Sequence, residues 1–179
     1  MANYVYIASS LDGYIATKDG GIDWLTEIPN PNNDDYGYAE FMKNIDAIVM
    51  GRVTFEKVLT FGEWIYEKTV FVLSNTLSNV PTKLSGKVEI VKGDLKTLIG
   101  NLAKRSINNL YIDGGKVIQG FLREDMIDEM IITRIPILLG DGIPLFGKHD
   151  RQMKFSHLKT ETFENGLIKS WYRRIQSQS

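Results

Sequence analysis

The sequence predicts a three-layer α/β domain: a mixed, mainly parallel sheet with helices on both faces, closed by an antiparallel C-terminal hairpin. Three observations carry that expectation. Short apolar runs alternate with segments of helical period. The central runs are apolar almost throughout, as strands buried on both faces are. Near the end, Glu164-Asn165-Gly166 stands between two strand-like stretches, and Asn-Gly in that setting is a strong hairpin signal.

Taken in order, "YVYIAS" (4–9) reads as the first strand and "DAIVMG" (46–51) as the second. A helix follows with Phe55, Val58 and Leu59 on one face, and "TVFVLS" (69–74) is the third strand. After "VEIV", Asp94 is placed to cap a helix carrying Leu95, Leu98, Ile99 and Leu102. The strand at 109–113 then leads through Gly114-Gly115 into a helix with Val117, Ile118, Phe121 and Leu122. Strand, helix, strand repeated this way requires right-handed crossovers and parallel neighbours. "KFSHLKTETF" and "LIKSWYRRI" form the closing hairpin.

No linker or repeat divides the 179 residues, so one domain over 1–179 is expected. Lys and Arg total 21 against 22 Asp and Glu, a net charge of -1, which gives no field for nucleic acid or an anionic membrane. The expected partner is a small molecule. With no cysteine there are no disulfides, thiolate nucleophiles or Cys-ligated zinc, and with no basic leader or long apolar run the reading is a soluble cytoplasmic protein. His149 and His157 have no carboxylate cluster at ligand spacing, so no metal is expected, and without a G-x-S-x-G elbow a serine hydrolase has no support.

The chemistry gathers at two glycine-bearing strand-to-helix turns. In "VMGRVTFEKV" Gly51 stands where an anion meets helix N–H groups, Arg52 adds charge and Thr54 a hydroxyl. In "YIDGGKVIQGFL" Gly114, Gly115 and Lys116 repeat the design. Either turn alone is equally a tight βα connection; together they suit one pyrophosphate. Neither is a G-x-G-x-x-G or a P-loop, and "GDGIPLFG" places Pro144 where a helix would begin. At the third strand end Ser74, Asn75 and Thr76 stand where an NAD site usually carries an acid, which with Arg52 and Lys116 favours NADPH over NADH.

At these residues the sequence resembles the dihydrofolate reductases and the related reductase domain of bacterial riboflavin biosynthesis, the RibD C-terminal family, nearly end to end. "MGRVTFE", "LSN" and "IDGGKVIQGFL" are similar to the dihydrofolate reductase cofactor segments, while "SSLDGYIA" and "IPILLGDGIPLF" are closer to the riboflavin-type pattern. The resemblance implies a dihydrofolate reductase-like fold and an NADPH-dependent reductase acting on a pterin, a pyrimidine or another small conjugated ring, with a phosphoribosylaminouracil reductase or a dihydrofolate reductase as the two models. It implies that Ala8 and Ile15 bracket the nicotinamide, and that Gly51, Arg52, Val53 and Thr54 meet the pyrophosphate and adenosine ribose. Leu73, Ser74 and Asn75 would lie by the 2′-phosphate, and Ile112, Gly114, Gly115, Lys116 and Val117 would close from the other side. Residues 16–24 would be a lid, with Trp24, Tyr36 and Phe41 beside the substrate.

The substrate side departs from the pattern. Where the dihydrofolate reductases keep a buried acid, Gly37 stands between Tyr36 and Tyr38. The nearest carboxylates are Asp34 and Asp35, which equally read as helix caps; Asp35 and, on the facing strand, Thr133 are the candidate catalytic residues. A second reading follows from the missing acid: a nucleotide-binding domain that keeps the cofactor cleft but not the chemistry. The resemblance also implies a cis peptide bond at Asp113-Gly114 or Gly114-Gly115. The apolar segment 134–147 further suggests a homodimer with Ile135, Ile137 and Leu139 near its contact.

Overall fold

The computed structural model describes residues 1–175. The chain runs β1 (Ala2–Ser9), β2 (Tyr14–Ala16), α1 (Asp23–Thr26), α2 (Tyr38–Lys43), β3 (Ala47–Gly51), α3 (Arg52–Leu59), β4 (Thr69–Leu73) and a 3-10 turn (Thr82–Leu84). It continues as β5 (Val88–Val91), α4 (Leu95–Lys104), β6 (Asn109–Asp113), α5 (Gly115–Arg123), β7 (Glu129–Arg134), β8 (Ile143–Pro144), β9 (Phe155–Thr162) and β10 (Ile168–Arg174). Eight strands form one sheet in the order β5-β4-β3-β6-β1-β7-β10-β9. The first six of these are parallel, and β10 joins β7 and β9 antiparallel.

The pleat sorts the strand residues into two layers. Ala47, Val49, Phe71, Leu110 and Ile112 face one way, under Leu98 and Leu102 of α4 and Val117, Ile118, Phe121 and Leu122 of α5. Ile48, Met50, Val70, Val72 and Tyr111 face the other way, against Phe55 and Val58 of α3 and the partly buried Tyr38 and Phe41 of α2. Burial on both faces is why these strands are apolar along their whole length. The sheet is thus covered by helices on both sides, as expected.

Asp94 caps α4, accepting from Thr97 N at 2.9 Å. The C-terminal hairpin turns through Gly166 at φ +84°, with Phe163 N donating to Leu167 O at 3.0 Å and a bulge at Trp171/Tyr172. The segment 134–147 divides. Ile135 is buried in a third cluster with Trp24 and Leu167, Ile137 and Leu139 pack against that cluster, and Leu138 stays 69% exposed.

Candidate functional site

β3 and β6 are neighbours in the sheet, so the two glycine turns that follow them lie side by side. Each turn needs its glycine for the other's side chain. A Cβ on Gly51 would sit 3.1 Å from Val117 Cγ2, and one on Gly114 would run into Thr54 Oγ1. Gly114 is also at φ +87°, ψ 136°, which a side chain strains. Among the described residues no peptide bond is cis. The expected cis bond at Asp113-Gly114 or Gly114-Gly115 is therefore replaced by a positive φ at Gly114, which reverses the chain with both bonds trans.

The two turns open on one cleft of about 1340 Å³. Ala8, Ile15, Gly51, Arg52, Val53, Thr54, Leu73, Ser74, Asn75, Gly114, Gly115, Lys116 and Val117 all line it. Ile112 does not: it points into the interior with no exposure, because alternate residues of β6 face opposite layers. Neither α3 nor α5 has a side-chain cap, whereas α4 is capped by Asp94. The first N–H groups of two helices thus remain without intrahelical partners at the same cleft, with the positive ends of both dipoles. Room beside a Cβ-less backbone and two uncapped N-termini fit a dinucleotide pyrophosphate. Arg52 is held by Glu56 at 2.9 Å, and Ser74 Oγ accepts from Leu77 N at 2.9 Å.

The segments "SSLDG" and "LLGDG" meet through Asp12, which accepts from Gly140 N at 2.7 Å and Leu139 N at 3.2 Å. The hydrogen bond from Ser10 Oγ first, and these two backbone bonds after it, keep the Asp12 carboxyl below its ordinary range. β2 and β8 pair just beyond this joint, placing Ile15 and Ile143 on the cleft wall.

The residues expected on the substrate side lie elsewhere. Asp35 is exposed at the start of α2, accepting from Gly37 N at 2.7 Å and Ala39 N at 2.8 Å, and those backbone bonds lower its pKa. It caps a helix and does not line the cleft. Thr133 is buried on β7 between Ala8 and Lys169. Trp24 is buried against Ile135 and Leu167, Tyr36 packs edge-on to Phe163, and Phe41 lies among Tyr4, Tyr6, Tyr38 and Tyr111. None of Thr133, Trp24, Tyr36 or Phe41 lines the cleft, because packing on neighbouring elements has already consumed these side chains. The missing acid at Gly37 has a steric counterpart. A Cβ there would sit 3.2 Å from the Nζ of Lys169, a buried lysine that donates to Tyr36 O and pairs with Glu161 at 3.2 Å.

An acid is nevertheless present in the cleft. Asp113, the last residue of β6, lines the cleft beside Tyr66. Desolvation pushes its carboxyl up to about 6, against the lowering effect of the Gly114 N–H and phenol hydrogen bonds. Tyr66 Oη donates to Asp113 Oδ2 at 3.4 Å, while Tyr111 Oη is committed to Tyr6 O at 2.9 Å. Burial first and the Asp113 charge second push the Tyr38 phenol up to about 12, and the same two causes raise Tyr66. The signal was visible in the sequence, since Asp113 stands where the resembling pattern has its first glycine. Tyr66 and Tyr38 carried no motif.

A family model described as the RibD C-terminal domain matches residues 64–169, more than half of the chain. The chain belongs to the RibD C-terminal domain family. Uncharacterized protein YwjB of Bacillus subtilis (strain 168) is 36% identical over 162 residues, covering 89% of this chain and 90% of that one. The crystal structure of a Shewanella sp. PV-4 protein that carries a provisional riboflavin-biosynthesis name is 51% identical. It covers 98% of this chain and 100% of its own, with a TM-score of 0.95. Two more distant structures show the fold. One is the Thermotoga maritima diaminohydroxyphosphoribosylaminopyrimidine deaminase/5-amino-6-(5-phosphoribosylamino)uracil reductase, at TM-score 0.73 and 19% identity over 97% of this chain and 56% of that one. The other is Enterococcus faecalis dihydrofolate reductase complexed with NADP(H), at 0.69 and 19% over 98% and 97%. The fold of this RibD C-terminal family member is dihydrofolate reductase-like, and the family and fold include reductases. Among the described residues no helix is long and apolar enough to cross a membrane.

Proposed function

We propose that the chain is an NADPH-dependent reductase of a small conjugated ring, in the class of a phosphoribosylaminouracil or a dihydropterin. The observation that carries the reading is a single cleft that joins two uncapped helix N-termini to a desolvated acid. The glycine turns would hold the pyrophosphate, with Ala8 and Ile15 beside the nicotinamide and Arg52, Ser74 and Asn75 near the 2′-phosphate. A reduced nicotinamide supplies a hydride when bound. The chain's own task is to exclude water and to hold a proton for the ring nitrogen or oxygen that becomes basic as the hydride is accepted. Asp113 suits that task, because a carboxyl titrating near 6 is partly protonated close to neutral pH. Tyr66, donating to it, orients the carboxyl.

The departure at Gly37 favours the second reading, a nucleotide-binding domain without turnover; it predicts NADPH binding with no oxidation over a panel of pterins, flavin precursors and quinones. Asp113 supports the enzyme against it. In the decisive experiment, millimolar NADPH raises the melting temperature by mass action on the folded state. Arg52→Ala and Lys116→Ala should each weaken NADPH far more than NADH, since a charge-assisted contact to phosphate contributes about 1.5 to 3 kcal/mol. An unchanged melting temperature with NADPH overturns the reading, and equal losses for both cofactors reassign the two cations to the pyrophosphate.

A further inference from the structure

The cations along the cleft are not equivalent. Arg52 is paired with Glu56 at 2.9 Å and Lys96 with Glu124 at 3.2 Å. Lys116 and Arg123 are exposed on α5, on the side of the second glycine turn. Lys57 differs from all four. It is half-buried, it lines the cleft, and among the described residues it makes no ion pair.

Its position separates it from the phosphate turns. Thr54, Lys57, Val58 and Phe61 recur at the spacing that puts side chains on one helical face, and Thr54 lies directly beneath Gly114. That face therefore looks into the cleft, and all four residues line it. At 1.5 Å per residue the Lys57 Cα lies roughly 9 Å along α3 from Gly51, nearly two turns into the helix. The same cleft is lined by the apolar Phe61, Ile22 and Leu25, and Asp19 of the segment preceding α1 feels the Lys57 charge. Asp19 does not satisfy it: that carboxylate is engaged by Thr17 Oγ1 and is exposed, and Lys57 is the least of the influences on it. A half-buried ammonium among apolar side chains carries a desolvation cost that an anion relieves.

We propose that Lys57 is a specificity-determining residue that anchors an anionic group of the substrate, a phosphate ester or a carboxylate, at the apolar end of the cleft. This rests on the reductase reading. The ring would then lie between Lys57 and Asp113, with its charged substituent directed along α3 and away from the cofactor's phosphates. A neutral ring of the same shape would lack the contact.

The test is calorimetric titration of the full chain, with and without saturating NADPH, using two anionic probes. Ribose 5-phosphate reports a phosphate ester and 4-aminobenzoylglutamate a carboxylate; ribose and 4-aminobenzamide are the neutral controls. The wild-type protein should bind at least one anionic probe tenfold or more tightly than its control, and the stronger probe identifies the source of the charge. Lys57→Gln should abolish that preference, Lys57→Arg should retain most of it, and both should keep the wild-type melting shift with NADPH, which also shows that they fold. Failure of both anionic probes to outbind their controls overturns the inference, as does an undiminished preference in Lys57→Gln. Loss of the NADPH shift in the wild type strikes the reductase reading instead, so the two failures are distinct.

Discussion

Replacing Asp113 by Asn separates the chemical role of this carboxyl from its cost to the fold. In the native protein the group titrates near 6, about two units above its ordinary value of 3.8. At ~1.4 kcal/mol per unit that is at most ~3 kcal/mol. Asp113 is only half-buried and one side meets the solvent of the cleft, so roughly 2 kcal/mol is the expected size. The sign follows from proton counting. Between about pH 4 and 6 the folded chain holds a proton that the unfolded chain has released, so wild-type stability falls as pH rises through this window and is level above it. Asn does not titrate. Urea denaturation at a series of pH values should therefore show Asp113→Asn gaining on the wild type by about 2 kcal/mol between pH 4 and 7. Reduction of any accepted ring should fall at least 100-fold in the variant and lose the decline through pH 6 expected of the wild type. A stability difference independent of pH from 4 to 7 would refute the assignment of a desolvated carboxyl, and wild-type turnover in the variant would refute its role as acid.

Two further outcomes follow from the geometry. Gly114→Ala combines a positive φ with a Cβ driven into Thr54 Oγ1, so it should cost about 2 to 4 kcal/mol by chemical denaturation, with Thr54→Ser, which keeps Oγ1, giving no relief and Thr54→Ala recovering part of the loss. We propose a homodimer from the exposure of Leu138 at 69% and Leu11 at 49% beside Ile137 and Leu139, with Leu11 N bonded to Ile137 O at 2.8 Å. Light scattering at micromolar concentration should return twice the chain mass; a monomer mass would leave segment 134–147 with Ile135 in the core and its exposed leucines free.

Much of the architecture was legible because parallel strands must bury both faces and helices must present a stripe. Runs such as Ala47–Gly51 and the spacing of Leu95, Leu98 and Leu102 announce these demands directly. The glycine turns were legible for a related reason: Gly114 needs a positive φ, and Gly51 leaves room for Val117 at the neighbouring turn. Substrate-side residues obey no such local rule. Whether Trp24, Tyr36 and Phe41 face a ligand or a neighbour depends on the path of segment 17–37, and Lys169, 132 residues beyond Gly37, helps to fix that path by its bond to Tyr36 O. Asp113 stands out in the sequence only as a carboxylate in place of a glycine; that it holds a proton near neutral pH depends on its burial and on Tyr66, Tyr111 and Tyr38 from separate stretches of chain.

The place of β1 in the sheet has a consequence for biosynthesis. This strand comes first in the chain yet lies between β6 and β7, which are made more than a hundred residues later. At ~5–20 residues per second its two edges wait roughly 6 to 25 s for partners, while β3, β4 and β5 assemble without it. During that interval "YVYIAS" is an unpaired apolar strand, the kind of edge that recruits other chains. Slowing initiation or lowering temperature during expression should therefore raise the soluble yield more than added NADPH does, since the cleft between the two glycine turns is completed only after β6 has docked beside β3.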